Sequence, residues 1–157
     1  MKSLFGLKRY LTLFLILLSG FAFAQTADEM DAMLTEHTVS AARAARFVLG
    51  AADLLPADVS GAMAETMAYD MAASKGWIKA GAGESVTMKS AAFLVMKAFD
   101  LKGGAFYSMF GSPRYAYREM VYRRIIMGRA DQAMKVSGPW LLDVIDRTMK
   151  YAGVDWR

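Results

Sequence analysis

The chain of 157 residues contains no cysteine, three prolines and a single histidine. Each shortage removes a class of chemistry. Without thiols there are no disulfides, and no cysteine waits behind a leader segment to accept a lipid. A zinc site of common type would have to be built from carboxylates, and none are grouped at metal-ligand spacing. His37 follows Met33 and precedes Ala41 by four residues each, without an acidic partner at a recognised interval. It is expected as a lone, partly buried histidine, and neither a metal nor a cofactor is expected.

Nucleophile and phosphate-loop signals are also missing. No Gly-x-Ser-x-Gly occurs, and Gly81-Ala82-Gly83 lacks both the lysine and the preceding strand of a phosphate-binding loop. Acid and base work from separated carboxylates, for example Glu65 with Asp70 or Glu119, is the remaining enzymatic route. It defines the rival reading, a small carboxylate-dependent envelope hydrolase.

Excess charge of one sign is absent once the first residues are set aside. Lys2, Lys8 and Arg9 precede an apolar run from Leu11 to Phe23, and Ala22-Phe23-Ala24 offers small residues where a signal peptidase reads. The run is shorter than the roughly 20 residues a membrane span needs. Residues 1–24 are therefore expected to be a signal peptide cleaved after Ala24, with no stable membrane span afterwards. The remainder, 25–157, holds 16 basic against 15 acidic residues. Bulk charge gives no ground for nucleic acid as a partner, and 133 residues suffice for one domain with its own core.

Strand alternation is hard to find, whereas helical spacing dominates. Met88, Ala91, Ala92, Val95, Met96 and Phe99 share one helix face, with Thr87 as N-cap and Gly103-Gly104 as stop. Leu141, Val144, Ile145 and Met149 mark a helix over 138–151, capped by Ser137 with Pro139 in its first turn. Further helices are expected over 28–52, as two pieces joined near Thr38, over 61–75, and over 113–124 behind Ser112-Pro113. The fold expected is all-α. The many methionines fall on these apolar stripes, which makes them core filler in preference to a copper site.

Two segments are alike. Residues 68–99 and 116–149 each begin with Ala-Tyr, pass through an Ile near a glycine, turn, and enter an apolar helix through Val-Thr or Val-Ser. Helix pairs of this length stack because one pair cannot bury its apolar face alone. Units are expected near 62–101 and 112–152, with a degenerate unit over 28–55 where Ala44-Ala45-Arg46-Phe47-Val48-Leu49-Gly50 has a similar ending.

This unit resembles the S-layer homology repeat, in which a helix ending in Gly-Ile-Ile-x-Gly is followed by a loop and a Thr-Arg-Ala-Glu helix start. Ile125-Ile126-Met127-Gly128 matches the first element, and Gly76-Trp77-Ile78 with Gly81 matches it loosely. Thr87 keeps the threonine of the second element, but Met88, Lys89 and Ser90 replace its Arg, Ala and Glu, and the other copy reads Ser137-Gly138-Pro139-Trp140. The resemblance implies a helical repeat fold in an exported envelope protein. In the family it would also imply attachment to cell-wall polysaccharide, but the charges at that glycan site are missing here.

Residues 112–129, SPRYAYREMVYRRIIMGR, concentrate arginine and tyrosine. On a helix from Pro113, Ala116, Tyr117, Met120, Val121 and Arg124 line one side, Arg114 and Arg118 stand one turn apart, and Glu119 faces Arg123. Arg114, Tyr115, Arg118 and Tyr122 form a candidate patch, which Phe106, Tyr107 and Phe110 from the preceding Gly-flanked loop either extend or leave by folding back as a hydrophobic plug. Aromatic faces stack on sugar rings and guanidinium forks bind carboxylate or phosphate. The expected function is noncatalytic binding or scaffolding in the envelope, with cell-wall polysaccharide or an envelope protein as partner. The bland alternative is one solvated helix face.

Overall fold

A computed structural model describes residues 27–128 and 130–153. All regular structure among them is helical, and the β-type pairing is limited to two isolated bridges, Ser40 with Ser85 and Thr87 with Lys135. The chain divides after Thr35. In the first unit residues 27–35 form a helix, α1, while the expected leader and its cleavage point lie outside the described residues. From Glu36 onward the second unit holds α2 (Ala41–Ala51), α3 (Gly61–Ser74), α4 (Met88–Ala98), α5 (Ala105–Phe110), α6 (Pro113–Tyr122) and α7 (Gly138–Ala152).

Three valines organise this unit. The backbone N–H of Val39 donates to the Val136 carbonyl at 2.8 Å, that of Val86 to the Val39 carbonyl at 3.0 Å, and that of Val136 to the Val86 carbonyl at 3.0 Å, which closes a ring. All three side chains are buried. β-Branched residues suit extended backbone, and the ring satisfies polar groups that burial would otherwise orphan. Each valine is followed by an extended Ser or Thr at a helix N-cap: Ser40 before α2, Thr87 before α4, Ser137 before α7.

The same arrangement serves the helix starts, whose first N–H groups have no partner inside the helix. In α2, Ala41 and Ala42 donate to the carbonyls of Glu84 and Ala82 at 2.8 and 3.0 Å; in α4, Met88 and Lys89 donate to Met134 and Gln132 at 2.9 and 3.0 Å. In α7, Gly138 donates to Glu36 at 2.8 Å. The next residue there is Pro139, so the bond absent at this third junction falls where there is no donor. Ser40 and Thr87 also cap through their hydroxyls, accepting from Arg43 and Ser90. Ser137 and Ser112 hold the cap position without a side-chain bond.

Packing follows from the buried faces. α2, α4 and α7 touch one another, α3 lies on α2, and α6 lies on α4. α4 is buried continuously from Ala91 to Met96, as a helix apolar on all sides must be. Both α2 and α4 end on a left-handed aspartate, Asp53 (φ 56) and Asp100 (φ 47), a conformation Asp tolerates better than most residues. The following Leu54 and Leu101 reach back to the carbonyls of Leu49 and Met96, both at 2.9 Å. α4 therefore stops before the expected Gly103-Gly104. α6 likewise ends at Tyr122, because Arg124 is left-handed (φ 59) and exposed; it does not line the helix face as the spacing suggested.

Two tyrosines fasten loops to helices. Tyr69 donates to the Ala80 carbonyl at 3.1 Å and Tyr117 to the Ala130 carbonyl at 2.9 Å. In both cases the acceptor lies six residues before a ring valine, Val86 or Val136.

Candidate functional site

α5 was expected as loop, and it is a six-residue helix between Gly104 and the left-handed Gly111 (φ 50). One side chain anchors it. Tyr107, 8% exposed, meets Phe93 edge-on at 6.5 Å and 64°. Gly103 passes so close that a Cβ there would fall 2.6 Å from the Tyr107 Cβ, which explains why this position carries no side chain. The rest of α5 points outward, with Phe106 at 68%, Met109 at 74% and Phe110 at 55% exposure.

α6 begins at Pro113 and buries Ala116, Tyr117 and Met120. Its opposite side receives α5. The Tyr115 ring is stacked between Phe106 at 6.0 Å, 9° and Phe110 at 5.1 Å, 18°. Phe106, Tyr107, Tyr115, Arg118, Glu119 and Tyr122 together line a pocket of about 220 Å³. Five of the seven candidate residues thus line one pocket, with Phe110 stacked on Tyr115 beside it. Arg114 is exposed on the same helix, one turn before Arg118, and does not line the pocket.

Of the two readings open for Tyr107, extension of the patch or a fold back as a hydrophobic plug, its mostly interior ring fits the second, and its buried hydroxyl has no hydrogen-bond partner among the described residues. Burial raises its pKa above the ordinary tyrosine value. Met109 was missed altogether. The signal for it was present: Phe106, Met109 and Phe110 recur at helix spacing between two glycine breaks.

The acid in the pocket is already occupied. Glu119 is held by Arg123 at 2.8 Å, one helical turn on, as the spacing predicted. Arg123 also donates to the Lys102 carbonyl and, at 3.0 Å, to the Tyr151 hydroxyl, with its guanidinium 5.2 Å from the Tyr151 ring centre. Among the described residues no carboxylate lies within ion-pair distance of Arg114 or Arg118. The pocket therefore offers aromatic faces and an uncompensated guanidinium, which suits an anionic ligand with flat apolar faces.

Two of the carboxylates considered for catalysis are paired with arginines, Glu119 with Arg123 and Glu65 with Arg43. Glu65 bonds Arg43 at 3.2 Å, and Arg43 also holds Glu36 at 2.9 Å. These bonds, that to Glu36 first, raise the Arg43 pKa against the opposing effect of burial. Asp53 and Asp100 line a separate depression of about 360 Å³ with the methyl groups of Ala51, Ala98 and Ala152. Their left-handed backbones already account for them as helix terminators. His37 is exposed, not partly buried, because it sits in the 36–40 connector where the 28–52 stretch breaks. No group of three or more His, Asp or Glu among the described residues is placed to hold a metal ion, and none of the described helices is long and apolar enough to cross a membrane.

No protein-family model, curated protein or solved structure matches this chain.

Proposed function

We propose that the protein is an exported, noncatalytic binding or scaffold module of the cell envelope, built from three helix-loop-helix units and holding an acidic wall glycan at the α5–α6 pocket. One observation carries this reading. Arg118, without an ion-pair partner among the described residues, stands beside Tyr122, which is 84% exposed, and the stacked Phe106 and Tyr115 rings in one pocket. Leaving a large aromatic side chain and an arginine side by side in water stabilises nothing in the fold, whereas ring stacking and a two-point guanidinium contact are what a carboxylated or phosphorylated sugar uses.

The resemblance to S-layer homology repeats supports the three-unit part of the reading. Val39-Ser40, Val86-Thr87 and Val136-Ser137 each introduce a helix from the valine ring. The Tyr69 and Tyr117 loop fastenings recur at matching places. The leader pattern of residues 1–24 supports export.

The test is retention of the exported protein on insoluble cell-wall sacculi, compared with capture of detergent-solubilised envelope proteins. Arg114→Ala with Arg118→Ala should abolish retention on sacculi while leaving the thermal transition in place. Retention that ignores both arginines would reduce the stretch to a solvated face. Capture of one envelope protein instead would make the module an adaptor.

A further inference from the structure

We infer that α5 is a membrane-surface anchor, in which Phe106, Met109 and Phe110 enter the interfacial layer of an anionic bilayer while Lys102, Arg114 and Arg118 meet its phosphate groups. This surface shares Phe106 and Arg118 with the glycan pocket, but vesicle binding does not require a glycan to be bound there. Every residue of α5 except Tyr107 is exposed. The three largest of those side chains are apolar and sit at spacings of three and four, on one side of the helix. A helix fastened by one interior tyrosine and by ring stacking of Phe106 and Phe110 on Tyr115, with every other side chain exposed, has the form of a wedge. Aromatic and methionine side chains with a basic rim are what interfacial membrane helices present.

Charge selects the occupant. Residues 101–128 contain Lys102, Arg114, Arg118, Arg123 and Arg124 against Glu119 alone, and Glu119 is bound to Arg123. Residues 27–96 are the reverse, with five basic against nine acidic residues. The near-neutral total thus hides a basic end at the wedge. A second copy docking symmetrically on this face would bring two basic faces together, a costly juxtaposition. An anionic lipid surface accepts both the apolar wedge and the cations, and it deforms around side chains of unequal length.

The experiment is cosedimentation of the exported protein with phosphatidylcholine vesicles, with and without phosphatidylglycerol. Binding should require phosphatidylglycerol and resist displacement by inorganic phosphate. Met109→Glu should weaken it about tenfold, with sacculus retention and the thermal transition unchanged, because Met109 does not line the glycan pocket. Each of Arg114→Ala and Arg118→Ala should weaken it roughly fivefold. Because the chain has no cysteine, Met109→Cys carries a single environment-sensitive dye, whose emission should shift to the blue on the anionic vesicles. Several results would overturn the inference: no binding to phosphatidylglycerol vesicles, equal binding by the Met109→Glu variant, release by inorganic phosphate, an unshifted dye, or α5-dependent self-association in place of vesicle binding.

Discussion

The backbone N–H of Val39 donates to the carbonyl of Val136, 97 residues away in sequence, at 2.8 Å, so a direct backbone bond joins the first and last parts of the second unit. Val86 completes the ring, and the starts of α2, α4 and α7 hang from it. Each valine gives the ring one backbone donor and one backbone acceptor.

The amide protons of Val39, Val86 and Val136 are therefore expected to exchange with solvent at similar, slow rates that track global unfolding. Hydrogen exchange followed residue by residue checks this. If one of the three exchanged orders of magnitude faster than the others, the ring would not be a single cooperative element.

Tyrosine hydroxyls should divide into two kinds. Tyr117→Phe and Tyr69→Phe each remove a bond to a loop carbonyl and should cost about 1 kcal/mol. Tyr107→Phe removes a buried hydroxyl that has no partner and should leave stability unchanged or raise it by about 1 kcal/mol. Urea titrations of the three variants measure the signs; a destabilised Tyr107→Phe would mean that the hydroxyl does have a partner.

Alkaline pH acts on the same residue. Burial raises the folded-state pKa of Tyr107 above the unfolded value near 10. The unfolded chain therefore loses this proton first. Stability from Tyr107 is complete below about pH 10 and declines as pH rises through the folded pKa. Melting curves between neutral pH and about pH 11 should show a decline that is smaller in Tyr107→Phe; identical declines would assign the alkaline loss to other groups.

How much of this was legible depended on whether the signal was local. Thr87, Pro113 and Pro139 lie next to the helices they start, and the apolar stripes of α4, α6 and α7 are uninterrupted, so those helices could be placed from spacing. The third valine could not. Val39-Ser40 sits inside a stretch whose alanines keep helical spacing on both sides, and only pairing with residues 47 and 97 positions away makes it extended. At the candidate site, arginine and tyrosine on α6 were visible because Pro113 sets the phase of the helix. The inward turn of Tyr107 was not, since it depends on the close passage of Gly103 and on the Phe93 ring.

Arg123 shows why neighbouring arginines in one stretch differ in kind. Its side chain is 17% exposed and that of Glu119 is 16%, so their pair is shielded from the screening that makes surface ion pairs worth little. The same guanidinium holds the Lys102 carbonyl ahead of α5 and the Tyr151 hydroxyl on α7. It therefore joins three segments, the α4–α5 connector, α6 and α7. Arg123→Ala should cost about 2 kcal/mol, because it leaves Glu119 as an unpaired, largely buried carboxylate. Arg118→Ala, with no partner to lose, should stay within about 0.5 kcal/mol of the parent. Denaturation midpoints of the two variants separate the roles, and equal midpoints would mean that the Arg123 network does not hold α5 and α7 to α6.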